Sequence, residues 1–335
     1  MRITNELDIS LLLAVWLIDD NYDHATAATV SAEAEKPYIS VTTLMRPLKQ
    51  ILLAQRVPVE KQVEDVSDFI SRGLGSTIHD GIERAWTKSY ARNLAKLGVP
   101  DAVIDRVRVN PTDDDRRAMP DMIPIYLEQR GFREFGGYVI GGKFDAVAEG
   151  HVEDNKSTSA YGWVFGTRDE ENQLQGSLYR WIDAVREIPR ITEDFMRVNY
   201  VFTDWQKVMA RSNPKYPQKR VEYKDIPLLS LADTELFVRA KLAAIKANKD
   251  KPESEMPECS DEELWRSAPA FKYYANPAKT DGRSTKNFES LAEANSYMQE
   301  QGKGVVKTIP GEVKRCGFCA AAPICQQRLR YFPEG

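Results

Sequence analysis

Cysteines and long apolar runs are scarce in this sequence, and each scarcity excludes a class of protein. Four cysteines in 335 residues are too few for a disulfide-built scaffold. The longest apolar run, Leu11–Ile18, has eight residues, whereas a bilayer span needs about twenty. Glu6 and Asp8 precede this run, where a signal peptide would carry basic residues. We therefore expect a soluble, cytoplasmic protein with no membrane partner.

The net charge gives no sign of a nucleic-acid partner, but it does not exclude one. The formal charge is −4, whereas proteins that bind nucleic acids are usually basic. A protein that gathers carboxylates around a metal ion can still carry a local basic lining within an acidic total. The apolar content of 42% is enough for one large domain, or for one domain with an appendage.

The order of predicted elements is typical of an α/β fold. Apolar periodicity predicts an amphipathic helix over residues 5–20 and a second helix over residues 75–97. Two strands joined by a short turn, Tyr138–Val147 and His151–Thr158, precede a helix and a further strand. We expect a mixed central sheet flanked by helices. The predicted domains are an N-terminal helix (1–36), a core (37–230) and a C-terminal helical region with a cysteine-stapled appendage (231–335).

Two carboxylates and one lysine lie close together in the predicted strand pair. Alternate residues of a strand face the same side, so Asp154 and Lys156 project together, and a hairpin partner can bring Asp145 beside them. Oxygen ligands of this kind suit Mg²⁺ or Mn²⁺, and the lysine could orient a water molecule for phosphodiester hydrolysis. The alternative is an exposed ion pair on a surface strand, which is common in proteins.

Two helical pairs add to this pattern. His79 and Glu83 are four residues apart, which places an imidazole and a carboxylate on one helical face. Histidine is a frequent metal ligand, although a helical histidine can also simply form a local hydrogen bond. Gln175 and Tyr179 similarly share a face and could reach phosphates or base edges.

Taken in order, these motifs resemble the RecB-type branch of the PD-(D/E)XK nuclease superfamily. The shared order is Gly-x-x-x-His, Gly-x-x-Asp, Asp-x-Lys and Gln-x-x-x-Tyr, preceded by the segment Ile39–Leu44, and it covers about residues 39–200. The resemblance implies a restriction-endonuclease-like core and a DNA exonuclease. The implied roles are metal binding by His79, Asp145, Asp154 and the main-chain carbonyl of Asn155, catalysis by Asp145, Asp154 and Lys156, DNA contact by Gln175 and Tyr179, and support of the ligands by Glu83.

The four cysteines indicate a second metal site. Cys316, Cys319 and Cys325 form a C-x₂-C-x₅-C array, and Cys259 is the only other cysteine. Four thiolates suit a four-iron cluster or tetrahedral zinc, and unligated thiols are the third alternative. Iron–sulfur members of the same branch carry a similar C-terminal triplet, but their distant cysteine usually precedes the nuclease motifs, whereas Cys259 follows them.

The sequence therefore predicts a metal-dependent exonuclease of DNA replication, recombination or degradation, similar to phage-encoded exonucleases. No P-loop is present, so its substrate would be single-stranded DNA or duplex opened by a helicase or recombination partner. Two alternatives stay open. One is a nuclease-fold DNA-binding protein that has lost catalysis, and the other is a metal-stapled scaffold with accidental motif matches.

Overall fold

The computed structural model describes residues 2–19, 24–166 and 168–333, and it divides the chain into two compact units. The first unit comprises residues 1–46 and 63–246, and the second comprises residues 47–62 and 247–335. This division differs from the predicted boundaries at residues 36 and 230. The helix that begins at Leu231 continues to Asn248, and the segment at 47–62 groups with the C-terminal residues.

The elements are numbered in chain order. The strands are β1 (Arg2–Thr4), β2 (Tyr38–Ser40), β3 (Val63–Asp65), β4 (Val107–Val109), β5 (Ile123–Phe135), β6 (Tyr138–Ala148), β7 (His151–Thr158), β8 (Phe195–Phe202), β9 (Val221–Pro227), β10 (Ala270–Tyr274), β11 (Lys286–Phe288) and β12 (Val305–Ile309). The helices are α1 (Leu11–Ile18), α2 (His24–Glu33), α3 (Val41–Leu44), α4 (Leu48–Ala54), α5 (Ile70–Lys96), α6 (Asp101–Ile104), α7 (Asp113–Ala118), α8 (Ala160–Phe165), α9 (Asp169–Asp183), α10 (Lys207–Ser212), α11 (Leu231–Asn248), α12 (Leu291–Gln301) and α13 (Gln326–Leu329).

A curled, mixed sheet of seven strands forms the centre of the first unit. Its order is β4-β5-β6-β7-β8-β9, and β2 also pairs with β6. The pairs β5–β6, β6–β7 and β8–β9 are antiparallel, whereas β2–β6, β4–β5 and β7–β8 are parallel. Glu149 and Gly150 both have positive φ angles, and they close the tight turn between β6 and β7.

Helices flank this sheet because its strands present apolar side chains to them. In β8 every second residue is buried, and Met196 lies so close to α9 that a Cβ on Gly176 would come within 2.6 Å of its sulfur. Long helix α5 packs Trp86 and Tyr90 against a cluster that includes Leu127. These contacts hold α5 and α9 against the strands that carry the predicted site.

Several sequence predictions are confirmed, and others are wrong. The α/β class, the β6–β7 hairpin and the strand Phe195–Phe202 are confirmed. The predicted N-terminal helix over 5–20 is wrong in extent, because α1 covers only Leu11–Ile18 and most of its apolar side chains are exposed. Three consecutive aspartates and two prolines predict a loop over residues 108–120, but this segment contains helix α7, which begins at a Thr112 capping box.

The second unit contains a small antiparallel sheet of order β11-β10-β12. Helix α12 packs against this sheet, and Tyr297 meets Tyr273 edge to face at 5.2 Å. The cysteine-bearing segment follows β12 and includes a short 3-10 helix, Arg315–Phe318. Over the residues that the structure describes in both units, no helix combines the length and apolar character needed to cross a membrane.

Candidate metal centre

A histidine and two carboxylates converge beside strands β5 and β6. Ligand atoms of His79, Glu128 and Asp145 all lie within 4.8 Å of one another. Leu127 pairs with Ala146 and Gln129 with Phe144, so the register places Glu128 opposite Asp145. Two of these residues belong to the sequence-predicted ligand set, whereas Glu128 does not. An imidazole and two carboxylates are suitable ligands for a divalent cation.

The main chain of β7 joins this group. The Nε2 atom of His79 lies 3.0 Å from the carbonyl oxygen of Asn155, and the amide of Asn155 donates a 2.9 Å hydrogen bond to Asp145 Oδ2. The Nδ1 atom of His79 lies 3.4 Å from Asp145 Oδ1 and 3.7 Å from Glu128 Oε1. The predicted convergence of His79, Asp145 and the Asn155 carbonyl is therefore present in the fold.

The three side chains hold one another electrostatically. Hydrogen bonds to Asp145 and then to Glu128 raise the pKa of His79 to about 10, although burial opposes the shift. Burial alone would raise the pKa of Glu128, but hydrogen bonds from His79 and Lys143 outweigh it and lower that pKa. Lys143 also forms an ion pair with Glu128. Two cations thus balance the carboxylates when no metal is bound.

Metal binding at this group should release a proton from His79. Its raised pKa keeps the imidazole protonated at neutral pH in the metal-free protein, and a metal-bound histidine must be neutral. We expect about one proton released per Mn²⁺ bound at pH 7, and an affinity that rises about tenfold per pH unit until the pH approaches the pKa. Calorimetry in buffers of different ionisation enthalpy measures this release. A pH-independent affinity would contradict the prediction.

Asp154 and Lys156 lie together, as the strand alternation predicts. The Lys156 ammonium donates to Asp154 Oδ1 at 3.0 Å and lies 2.7 Å from Oδ2, although the bond to Oδ2 is poorly aligned. Asp154 is buried, and burial raises its pKa; the nearby Asp145 carboxylate adds to the rise, while Lys156 opposes it. Asp154 lies outside the three-residue group that the structure brings within 4.8 Å.

The remaining predicted residues have distinct surroundings. On α9, Gln175 donates a 3.0 Å hydrogen bond to the hydroxyl of Tyr179, whose ring meets Phe144 edge to face. Glu83 lies one turn beyond His79 on α5 and is half-buried. Among the described residues, no hydrogen bond or ion pair joins the Glu83 carboxylate to His79, and the metal group contains Glu128 instead. Support of the ligands by Glu83 stays a prediction.

Gly142, the glycine of the Gly-x-x-Asp motif, allows Tyr179 to approach β6. A Cβ on this residue would lie 2.6 Å from Tyr179 Cε1 and 2.9 Å from Val41 Cγ2. Gly142→Ala should therefore lower the free energy of unfolding by about 1–3 kcal/mol. Gly81→Ala in α5 is the matched control, because its Cβ would meet no atom within 4 Å and alanine favours a helix. Chemical denaturation measures both; equal stabilities of the two variants would contradict the assignment.

Glu128 is the member of the group that the sequence analysis missed. Its φ of +53° is unusual for a residue other than glycine, and strained residues of this kind concentrate at functional sites. The sequence does contain a related pattern. Glu128 and Asp145 are carboxylates on two neighbouring strands, and Lys143 lies two residues before Asp145. That pattern becomes readable only once β5 is known to pair with β6.

All four cysteines line one cavity of the second unit. Lys49 and Arg315 also line it, and these cations suit a group with bound thiolates. Cys259 is anchored by Gln327, which accepts a 2.9 Å hydrogen bond from the Cys259 amide and donates a 2.9 Å bond to its carbonyl oxygen. Cys316 belongs to an apolar cluster with Leu264. The distant cysteine is therefore brought to the C-terminal triplet, as a four-thiolate site requires.

Four thiols that line one cavity suit either a four-iron cluster or a tetrahedral zinc ion. Zinc at about 2.3 Å from four sulfurs would hold neighbouring sulfurs roughly 3.8 Å apart. Among the described residues, which include all four cysteines, no three thiol sulfurs lie within 4.8 Å of one another. In a four-iron cluster each thiolate binds a different iron, whereas all four would bind a single zinc ion. Burial, followed by Glu263 and the neighbouring thiols, raises the pKa of Cys259 to about 12.

Comparison with known proteins adds little to these observations. No protein-family profile and no curated protein matches this chain. Among solved structures, the chain is similar to the crystal structure of SSO0001, at 15% sequence identity and a TM-score of 0.37, over 69% of this chain and 90% of that chain. A likeness at that TM-score is too weak to bear on the fold or the function.

Proposed function

We propose that this protein is a divalent-metal-dependent nuclease that hydrolyses DNA phosphodiester bonds and has a restriction-endonuclease-like core. The observation that carries the proposal is the convergence of His79, Asp145 and the Asn155 carbonyl in one place. The lysine that the motif requires lies one residue along the same strand, paired with Asp154. Separate elements supply these groups, which is what an assembled site requires and an isolated surface ion pair does not.

The residues present fit Mg²⁺ or Mn²⁺. His79, Asp145, Asp154 and the Asn155 carbonyl would hold the ion, and Glu128 is a further ligand in reach of His79 and Asp145. A bound divalent ion lowers the pKa of a coordinated water and neutralises charge on the attacked phosphate. The Lys156 ammonium orients the attacking water and stabilises the negative charge of the transition state. Lys143 keeps Glu128 ionised and in place.

Buried Asp154 has a specific part in this scheme. Its raised pKa reflects a carboxylate that is removed from water and close to Asp145. A divalent cation would compensate both carboxylates at once, and it would replace the positive charge that His79 loses when it binds the ion. Gln175 and Tyr179 would contact the DNA from α9. We propose that the activity is exonucleolytic. Its substrate would be single-stranded DNA, or duplex DNA whose end a helicase or recombination partner has opened.

The second unit would hold a four-iron cluster on Cys259, Cys316, Cys319 and Cys325. The support is the cavity that all four cysteines line, together with the bonds of Gln327 that bring Cys259 to the C-terminal triplet. Bound there, the cluster would act as a structural staple for a small, loop-rich unit.

Digestion of end-labelled single-stranded and double-stranded DNA with Mg²⁺ or Mn²⁺ tests the nuclease proposal. Wild-type protein should degrade DNA only with the metal, and Lys156→Ala should be slower by about 10²–10³-fold. Lys96→Ala, an exposed lysine at the end of α5, is the matched control and should retain full activity. DNA binding without metal-dependent cleavage by the wild type would favour the second candidate, a nuclease-fold DNA-binding protein without catalysis.

A further inference from the structure

Helix α1 exposes an apolar surface that the described residues of its own unit leave uncovered. All eight of its residues are apolar, and it contains no charged side chain. Leu12 is 85% exposed, Leu11 79% and Val15 66%. The large apolar side chains of α1 that are exposed are Leu11, Leu12, Leu13, Val15, Trp16 and Ile18. Exposure of this extent in one short helix is unusual for the surface of a monomer.

The helix is held firmly from behind. Ala14 and Leu17 are buried and pack against Val66 and Phe69. Leu17 also lies so close to α5 that a Cβ on Gly73 would come within 3.1 Å of its side chain. The exposed side chains therefore project from an anchored helix, so presenting them to a partner needs little reordering.

Two further exposed apolar residues lie at the start of α5, close to Gly73, where Trp16 and Leu17 of α1 approach that helix. Ile70 and Leu74, which flank Gly73, are 42% and 45% exposed. With roughly 80 Å² of exposed apolar surface on each of these eight side chains, the combined patch offers on the order of 600 Å². A stable interface buries about 800 Å² on each partner, of which roughly 60% is apolar, or about 500 Å². The patch is thus large enough to form the apolar centre of one standard interface.

We infer that this surface, which we call the α1 face, is the interface through which two copies of the chain form a dimer. In a twofold dimer the same surface lies on both subunits, so one apolar patch is sufficient. A membrane is the less suitable partner, because amphipathic membrane helices carry basic residues whereas α1 has none and acidic residues flank it. This inference is independent of the proposed nuclease activity.

The flanking charges give the dimer a characteristic salt dependence. Glu6 and Asp8 precede the helix and Asp19 follows it, and all three are exposed. If two α1 helices pack antiparallel, Glu6 and Asp8 of one copy lie near Asp19 of the other copy, and these like charges repel. Because salt screens this repulsion, dimerisation should be tighter at high salt. A partner protein with a basic rim would instead bind more weakly as salt increases.

Sedimentation equilibrium of the full chain over a wide concentration range tests the inference. Wild-type protein should dimerise, and Val15→Asp should raise the dissociation constant by at least about 100-fold, because it would bury an unpaired carboxylate. Leu12→Ser is a milder second variant, expected to weaken the dimer at a site too exposed to affect folding. The matched control is Val208→Asp on α10, where valine is 73% exposed; it should dimerise like the wild type.

Two results would overturn the inference. The first is a wild-type protein that stays monomeric at every concentration and salt, including one that binds lipid vesicles or another protein instead. The second is a dimer whose dissociation constant is the same for Val15→Asp and Val208→Asp. Circular dichroism of each variant establishes that it is folded before either result is interpreted.

Discussion

Asp145→Asn is expected to reduce metal-dependent DNA cleavage by about 10³-fold or more. Asp145 contacts His79 and accepts a hydrogen bond from the Asn155 amide. It therefore links helix α5 to strand β7 in the candidate metal centre. The substitution removes one ligand charge, and metal catalysis contributes several kcal/mol of transition-state stabilisation, with each 1.36 kcal/mol worth about tenfold in rate. Single-turnover cleavage of end-labelled DNA at saturating Mn²⁺ measures the loss.

The same variant should also lose metal affinity, which separates this account from a loss of DNA binding. Calorimetric titration with Mn²⁺ should show weaker binding by Asp145→Asn, whereas fluorescence anisotropy in EDTA should show DNA affinity close to that of the wild type. The matched control is Asp80→Asn. It removes one negative charge, as Asp145→Asn does, but from the exposed residue that follows His79 in the sequence. Full activity in Asp145→Asn would contradict the assignment.

Cys259→Ser is expected to remove the cluster and destabilise the second unit by several kcal/mol. All four cysteines line the same cavity, and the described residues of this unit form a three-stranded sheet and few long helices. In small metal-stapled units, metal binding supplies much of the folding free energy. Anaerobically purified wild-type protein should contain about four iron atoms per chain and absorb visible light. The variant should contain little iron and should be more sensitive to proteolysis after residue 247.

Ala320→Ser is the matched control for that experiment. It introduces a serine next to Cys319 at an exposed position and leaves all four thiols in place. It should bind iron like the wild type. Stoichiometric zinc in the wild-type protein, or equal iron content in Cys259→Ser and the wild type, would contradict the four-iron assignment.

The parts of the candidate site that could be predicted from sequence are those set by local periodicity. The two-residue repeat of a strand places Asp154 beside Lys156, and the short turn at Glu149–Gly150 makes the hairpin that brings Asp145 to Asn155. His79 could be assigned to a helix because the apolar spacing around it is helical. Each of these inferences depends on neighbours within about ten residues.

The parts that could not be predicted depend on pairing between distant segments. Glu128 belongs to the metal group because β5 pairs with β6 and because its own φ is positive, and neither fact is visible in the residues around it. The Gln327 bonds to Cys259 likewise join positions 68 residues apart. Apolar residues of α1 suggested a buried face, but only Ala14 and Leu17 are covered. Burial is set by the whole fold, so periodicity alone could not reveal this exposure.

Anomalous diffraction from crystals soaked in Mn²⁺ tests the metal centre most directly. We expect one manganese peak bound by His79, Asp145, Asp154 and the Asn155 carbonyl, about 2 Å from each ligand atom. No peak there after soaking at a concentration that supports DNA cleavage, or a peak bound only by other residues, would contradict this expectation.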